Sequence, residues 1–77
     1  MMKLQILGTG CFNCQRLSTH AEEAARELGL EAEIEKIEDL GQILAFGVMQ
    51  TPALAVDGEV VVMGRVPSVP ELKGLLA

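Results

Sequence analysis

The chain has 77 residues, of which 49% are hydrophobic, and carries a formal net charge of −5. That length predicts one domain (residues 1–77) near the lower limit for a self-sufficient core, and the hydrophobic share argues against disorder. The acidic balance, with two Phe and no Trp or Tyr, excludes a nucleic-acid surface, which needs basic clusters or stacking rings. No apolar run reaches membrane-spanning length and no secretory signal pattern opens the chain. The expected compartment is therefore cytoplasmic, with no membrane partner.

In chain order, Met2 to Leu7 alternates loosely and stops at Gly8, the pattern of a strand. Leu4 and Ile6 share one face, Gln5 and Leu7 the other. A helix is predicted from about Phe12 to Leu28, with Cys14, Leu17, Ala21, Ala24, Ala25 and Leu28 as its apolar stripe and Gly29 as its stop. The alanines on that stripe suit close packing on a sheet. Glu31 to Ile37 first alternates charge with apolar residues and reads as a half-exposed edge strand, where charge discourages stray pairing. Asp39 followed by Gln42 resembles an N-cap, opening a short helix that runs to Gly47. Beyond Thr51 and Pro52, two apolar runs, Ala53–Val56 and Val60–Met63, flank Asp57-Gly58, a strong hairpin signal. Such continuously apolar strands imply a sheet covered on both faces. Ser68-Val69-Pro70-Glu71 is a capping box opening a last helix expected to bury Val69, Leu72, Leu75 and Leu76. The order is βαβαββα, with parallel strands in the first crossover and antiparallel ones in the hairpin.

Both cysteines, Cys11 and Cys14, fall at the junction of the first strand and first helix, two residues apart. A Cys-x-x-Cys in that place reads as a redox motif. The first turns of a helix leave N–H groups unpaired and carry partial positive charge, so a thiolate is favoured there. Cys11 is the expected nucleophile, because it lies at the helix start and is the more exposed of the two. Cys14, on the apolar stripe, is the expected resolving thiol. Residues 1–21 contain no Asp or Glu, which leaves no sequence-local carboxylate to oppose thiolate formation. A structural staple is a poor alternative, since the loop closed is very short and the cytoplasm is reducing.

Other chemistry-bearing residues have plainer readings. His20 lies off the apolar stripe and reads as a solvated helix residue. Met49 and Met63 read as core filling. Arg65 reads as a solvated residue after the hairpin, and the run from Glu31 to Glu38 as a solvated edge.

The full pattern resembles the thioredoxin fold in its minimal, glutaredoxin-sized form: strand, Cys-x-x-Cys, helix, strand, helix, Thr51-Pro52, hairpin, helix. Gly47-Val48-Met49-Gln50-Thr51-Pro52-Ala53-Leu54, then Val56 to Val61 and Gly64 to Ser68, more narrowly resemble the small redox-active disulfide proteins of the thioredoxin/glutaredoxin-like family. The resemblance implies an α/β fold with a four-stranded mixed sheet and three helices. It also implies a cis bond before Pro52 facing the cysteines, and a substrate groove bordered by Phe12, Asn13, Thr51, Pro52 and Gly64, with Thr51 offering its backbone to an extended segment. Thioredoxins carry a buried Asp on the strand before the motif. Gln5 stands in the corresponding stretch and cannot take a proton, so the resolving step is expected to use water or substrate as base. The residues by which glutaredoxins hold glutathione are not matched by Thr9-Gly10 or Gly64 to Pro67.

The implied function is thiol–disulfide oxidoreduction through a redox-active Cys11–Cys14 disulfide, with no other cofactor and no metal. The implied partners are disulfide-containing proteins or small thiols, with a disulfide reductase as electron donor to a monomeric carrier. The alternative from another class is a Cu(I) carrier using both thiolates. Carriers of that size have the order βαββαβ and end in a strand. A third reading is a partner-binding adaptor with a vestigial disulfide.

Overall fold

A computed structural model of the chain describes residues 2–10 and 12–77. The elements are β1 (Met2–Leu7), α1 (Phe12–Glu27), β2 (Ala32–Ile37), α2 (Leu40–Ala45), β3 (Ala53–Val56), β4 (Glu59–Met63) and α3 (Val69–Leu76). The sheet has the order β2-β1-β3-β4. β1 pairs in parallel with β2 and antiparallel with β3, so the strand preceding the cysteines is internal and the glutamate-rich β2 is an edge. The βαβαββα order ends in a helix, unlike the order expected of a copper carrier.

Local chemistry sets the ends of these elements. α1 stops in a Schellman arrangement, with Leu30 N–H donating to Ala25 O at 2.9 Å and Gly29 N–H to Arg26 O at 3.1 Å. Asp39 caps α2 by accepting from Gln42 N at 2.9 Å, and Ser68 caps α3 by accepting from Glu71 N at 3.3 Å. Asp57 and Gly58 both hold positive φ (51° and 89°), as a type I′ turn requires. The hairpin register slips between Leu54 and Ala55, so that Leu54 faces Val62 while Ala55 faces Val60. Val61 is the extra residue of the bulge.

The sheet separates two apolar layers. On one face Leu4, Ile6, Leu54 and Val62 pack with Leu17, Ala21, Ala24 and Ala25 of α1 and Leu72 and Leu76 of α3. On the other, Leu7, Ile37, Ala53 and Ala55 pack with Ile43 of α2 and with Val48. The alternation of β1 decides which residue meets which layer.

Three expectations about burial need correcting. Leu75 is exposed, because this two-turn helix turns Leu72, Leu76 and the partly buried Val69 toward the core and leaves Leu75 on the outer side. Met49 is 82% exposed and Met63 is exposed as well, so neither fills the core. Val48 turns inward in the loop instead, and Met63 ends an edge strand. His20 is half-buried rather than solvated; its Nδ1 donates to Pro67 O at 2.9 Å, linking α1 to the approach to α3. Ser18, not anticipated as a core residue, is buried on α1 beside Leu17.

Candidate functional site

The site forms where β1 runs out. Gly8 N–H donates to Ile37 O at 3.0 Å, tying the exit of β1 to the end of β2. From there the chain turns through Gly10, at φ 81°, into α1. Gln15, in the first turn of α1, reaches back with its Nε2 to Gly10 O at 3.5 Å. Cys11 lies outside the described residues, so its expected exposure and role as nucleophile are not part of this geometry. Cys14 is 4% exposed and disulfide-bonded. Phe12 and Asn13 are exposed; the Phe12 ring stands 74% in solvent with the Arg16 guanidinium 6.0 Å from its centroid.

Gly8 is the point of closest approach. A Cβ placed there would collide with Cys14 Sγ, lie 3.3 Å from Cys14 Cβ and stand 3.9 Å from Pro52 Cα. The missing side chain lets the helix-borne sulfur and the Pro52 backbone converge on the end of β1. Gly8→Ala should therefore force one wall to move. We expect a destabilisation of about 1–3 kcal/mol, the usual range for overpacking a closed site, with a severalfold loss of turnover. Thermal unfolding and steady-state rates read both, and unchanged values would mean that the walls separate freely.

The opposite wall is built from the β3 entry and β4 exit. The Thr51–Pro52 peptide is cis, Thr51 is exposed and Pro52 is buried. Gly64 N–H donates to Pro52 O at 2.9 Å, and a side chain on Gly64 would strike Gln50. Gly64 thus both joins β4 to the Pro52 segment and leaves room for Gln50. The exposed Met49 and Met63 flank this segment in the chain, Met63 facing Ala53 in the β3–β4 register.

A cavity of about 210 Å³ opens beside Cys14. Among the described residues it is lined by Ile6, Gly8, Gly10, Cys14, Gln15, Lys36 and Glu38. A Cβ on Gly10 would sit 2.9 Å from Glu38 Oε2, so this carboxylate rests against the loop preceding α1. The expectation of no carboxylate near the cysteines holds along the chain and fails in space: the parallel β1–β2 pairing brings the end of β2 beside the end of β1. Gln5 is not at the site. Its Oε1 accepts from Gly58 N at 2.8 Å, at the hairpin turn beside the start of β1.

Arg65, expected to be solvated, is exposed and ion-paired with Glu71 at 2.6 Å. The hydrogen bond from Arg65 holds the Glu71 carboxyl below its ordinary value, and the same bond raises the guanidinium. A lowered carboxyl pKa makes any stabilisation by the pair complete above the ordinary glutamate range and lost as pH falls through the lowered value. Among the described residues, no group of three or more His, Cys, Asp or Glu could hold a metal ion, and no helix is long and apolar enough to cross a membrane.

A family model described as a thioredoxin domain matches residues 2–77. A protein named thioredoxin from Methanothermobacter thermautotrophicus is 56% identical over 77 residues, covering all of both chains. Another so named, from Methanocaldococcus jannaschii, is 40% identical over 73 residues, covering 95% of this chain and 84% of its own. Among solved structures, a malaria-parasite thioredoxin-2, titled a component of that parasite's protein secretion machinery, superposes with a TM-score of 0.72. It is 14% identical, covers 99% of this chain and is covered over 81% of its own, so the likeness concerns the fold. The chain belongs to the thioredoxin family, a family of thiol–disulfide oxidoreductases.

Proposed function

We propose that the protein is a dithiol–disulfide carrier in which Cys11 attacks a substrate disulfide and Cys14 resolves the mixed disulfide. The observation that carries this reading is the convergence of Cys14 Sγ and Pro52 on Gly8, in a chain of the thioredoxin family. The first turns of α1 contain no acidic residue, so their partial positive charge is left to favour a thiolate at the helix start. Substrates are disulfides of proteins or small thiols, laid along the segment of Thr51 and Pro52 and bordered by Phe12, Asn13 and Gly64. A disulfide reductase returns the electrons, and the carrier works as a cytoplasmic monomer without metal or added cofactor.

The test is the redox equilibrium of the cysteine pair against defined dithiothreitol buffers, read by alkylation and mass, with and without Cu(I). A single two-electron transition between roughly −320 and −120 mV is expected, the span of exchange catalysts. No stable intramolecular disulfide, together with tight Cu(I) uptake, would overturn the reading in favour of a metal carrier.

A further inference from the structure

We infer that Glu38 is the proton acceptor for Cys14 in the resolving step, acting across the cavity that both residues line. The inference rests on the exchange function proposed above and supplies a group that its chemistry needs. Cys14 is buried, and burial in apolar surroundings favours the neutral thiol, which is not the attacking species. A base is therefore required, and Gln5 is held at the hairpin turn.

Glu38 is the one carboxylate among the described residues lining the cavity, and its Oε2 lies against the Gly10 backbone. The charged neighbours are few. β1 contributes Ile6 and Gly8 to the cavity, α1 the neutral Gln15, and β2 the exposed Lys36. Arg16, just past the first turn of α1, is exposed beside the Phe12 ring, and Asp39 beyond Glu38 accepts from Gln42 at the α2 cap. Because Glu38 becomes neutral as the Cys14 thiolate forms, the transfer leaves a single negative charge at the cavity, which Lys36 lines with a charge of opposite sign. A volume of about 210 Å³ holds several waters at ~30 Å³ each, enough for a short proton path.

The step balances as follows. In the mixed disulfide, Cys11 Sγ is bonded to a substrate sulfur and Cys14 carries its proton. That proton passes through water to Glu38, and the Cys14 thiolate attacks Cys11 Sγ. The Cys11–Cys14 bond forms, the bond to the substrate sulfur breaks, and the electron pair leaves on the substrate thiolate. This thiolate takes up the proton released from Glu38 to solvent. Two electrons have moved from the protein dithiol to the substrate disulfide.

The experiment uses the reduced full chain and excess dithiobis-nitrobenzoate, followed by stopped flow. One coloured thiolate is released as Cys11 is derivatised, and a second when Cys14 resolves the adduct, at a rate that does not depend on reagent concentration and so is distinct from direct attack of the reagent by Cys14. Glu38→Gln should slow the second release about tenfold or more near neutral pH, within the usual reach of a positioned base, while the first release is not slowed. The gap should close at alkaline pH, where Cys14 loses its proton to hydroxide, and Glu38→Asp should restore part of the rate. A second release in Glu38→Gln with wild-type rate and pH profile, or a faster one, overturns the inference. Failure of wild-type protein to show two releases would instead overturn the exchange function itself.

Discussion

Cys11→Ser should abolish disulfide reduction, whereas Cys14→Ser should permit the first attack and then stop, accumulating mixed disulfide. A serine hydroxyl at Cys11 is essentially never ionised near neutral pH and forms no bond to sulfur that exchange could reverse. The loss there should be complete. At Cys14 the same exchange leaves the Cys11 thiol in place and removes only the sulfur packed against Gly8. The substrate then stays attached until an external thiol releases it. Turnover with a protein disulfide substrate, and the mass of the trapped adduct on non-reducing gels, separate the two behaviours. Trapping by Cys11→Ser and silence from Cys14→Ser would reverse the assigned roles.

The second large effect concerns the sheet under the site. Leu54→Ala should cost about 3 kcal/mol, because deleting a buried leucine loses its transfer free energy and leaves a cavity that rigid neighbours cannot close. Leu54 is fully buried between Leu4 and Ile6 of β1, Leu17 of α1 and Leu72 of α3. A domain of this size has only about 4–12 kcal/mol in total, so the variant should melt roughly 12–24 °C lower. Leu75→Ala, on the exposed side of α3, should change stability by no more than about 0.5 kcal/mol. Urea midpoints measure both. Near-equal values would mean that the layer around Leu54 is loosely packed.

The elements were legible because each announces its own ends. Asp39 and Ser68 supply cap oxygens, Asp57-Gly58 supplies the turn with positive φ, and the glycine after Leu28 supplies the helix stop. These are local effects, encoded within a few residues. The junction of strand and helix that holds the Cys-x-x-Cys was legible for the same reason, since β1 ends at Leu7 and α1 starts at Phe12. Burial outside regular elements was not, since a loop has no period from which to infer a face: Val48 turns in and Met49 turns out. His20 could not be assigned from the stripe of α1, because its partner is a carbonyl brought in by α3. Glu38 shows the limit most clearly. It is far from Cys14 in sequence and belongs to a run of charges along an edge, yet parallel pairing ends that run beside the cavity.

The internal position of β1 also shapes how the chain reaches this structure. β1, α1 and β2 are made early and can assemble as one crossover. The other side of β1 is completed by the hairpin, whose Gly58 binds Gln5 across 53 residues of sequence. Contacts so distant slow folding, because loop closure must precede the pairing that rewards it. During synthesis the buried strand Leu4 to Leu7 therefore presents an open edge until β3 arrives, and an uncovered apolar edge is a template for self-association. The last third of the chain thus serves as the cover that takes the nascent protein out of its most aggregation-prone form.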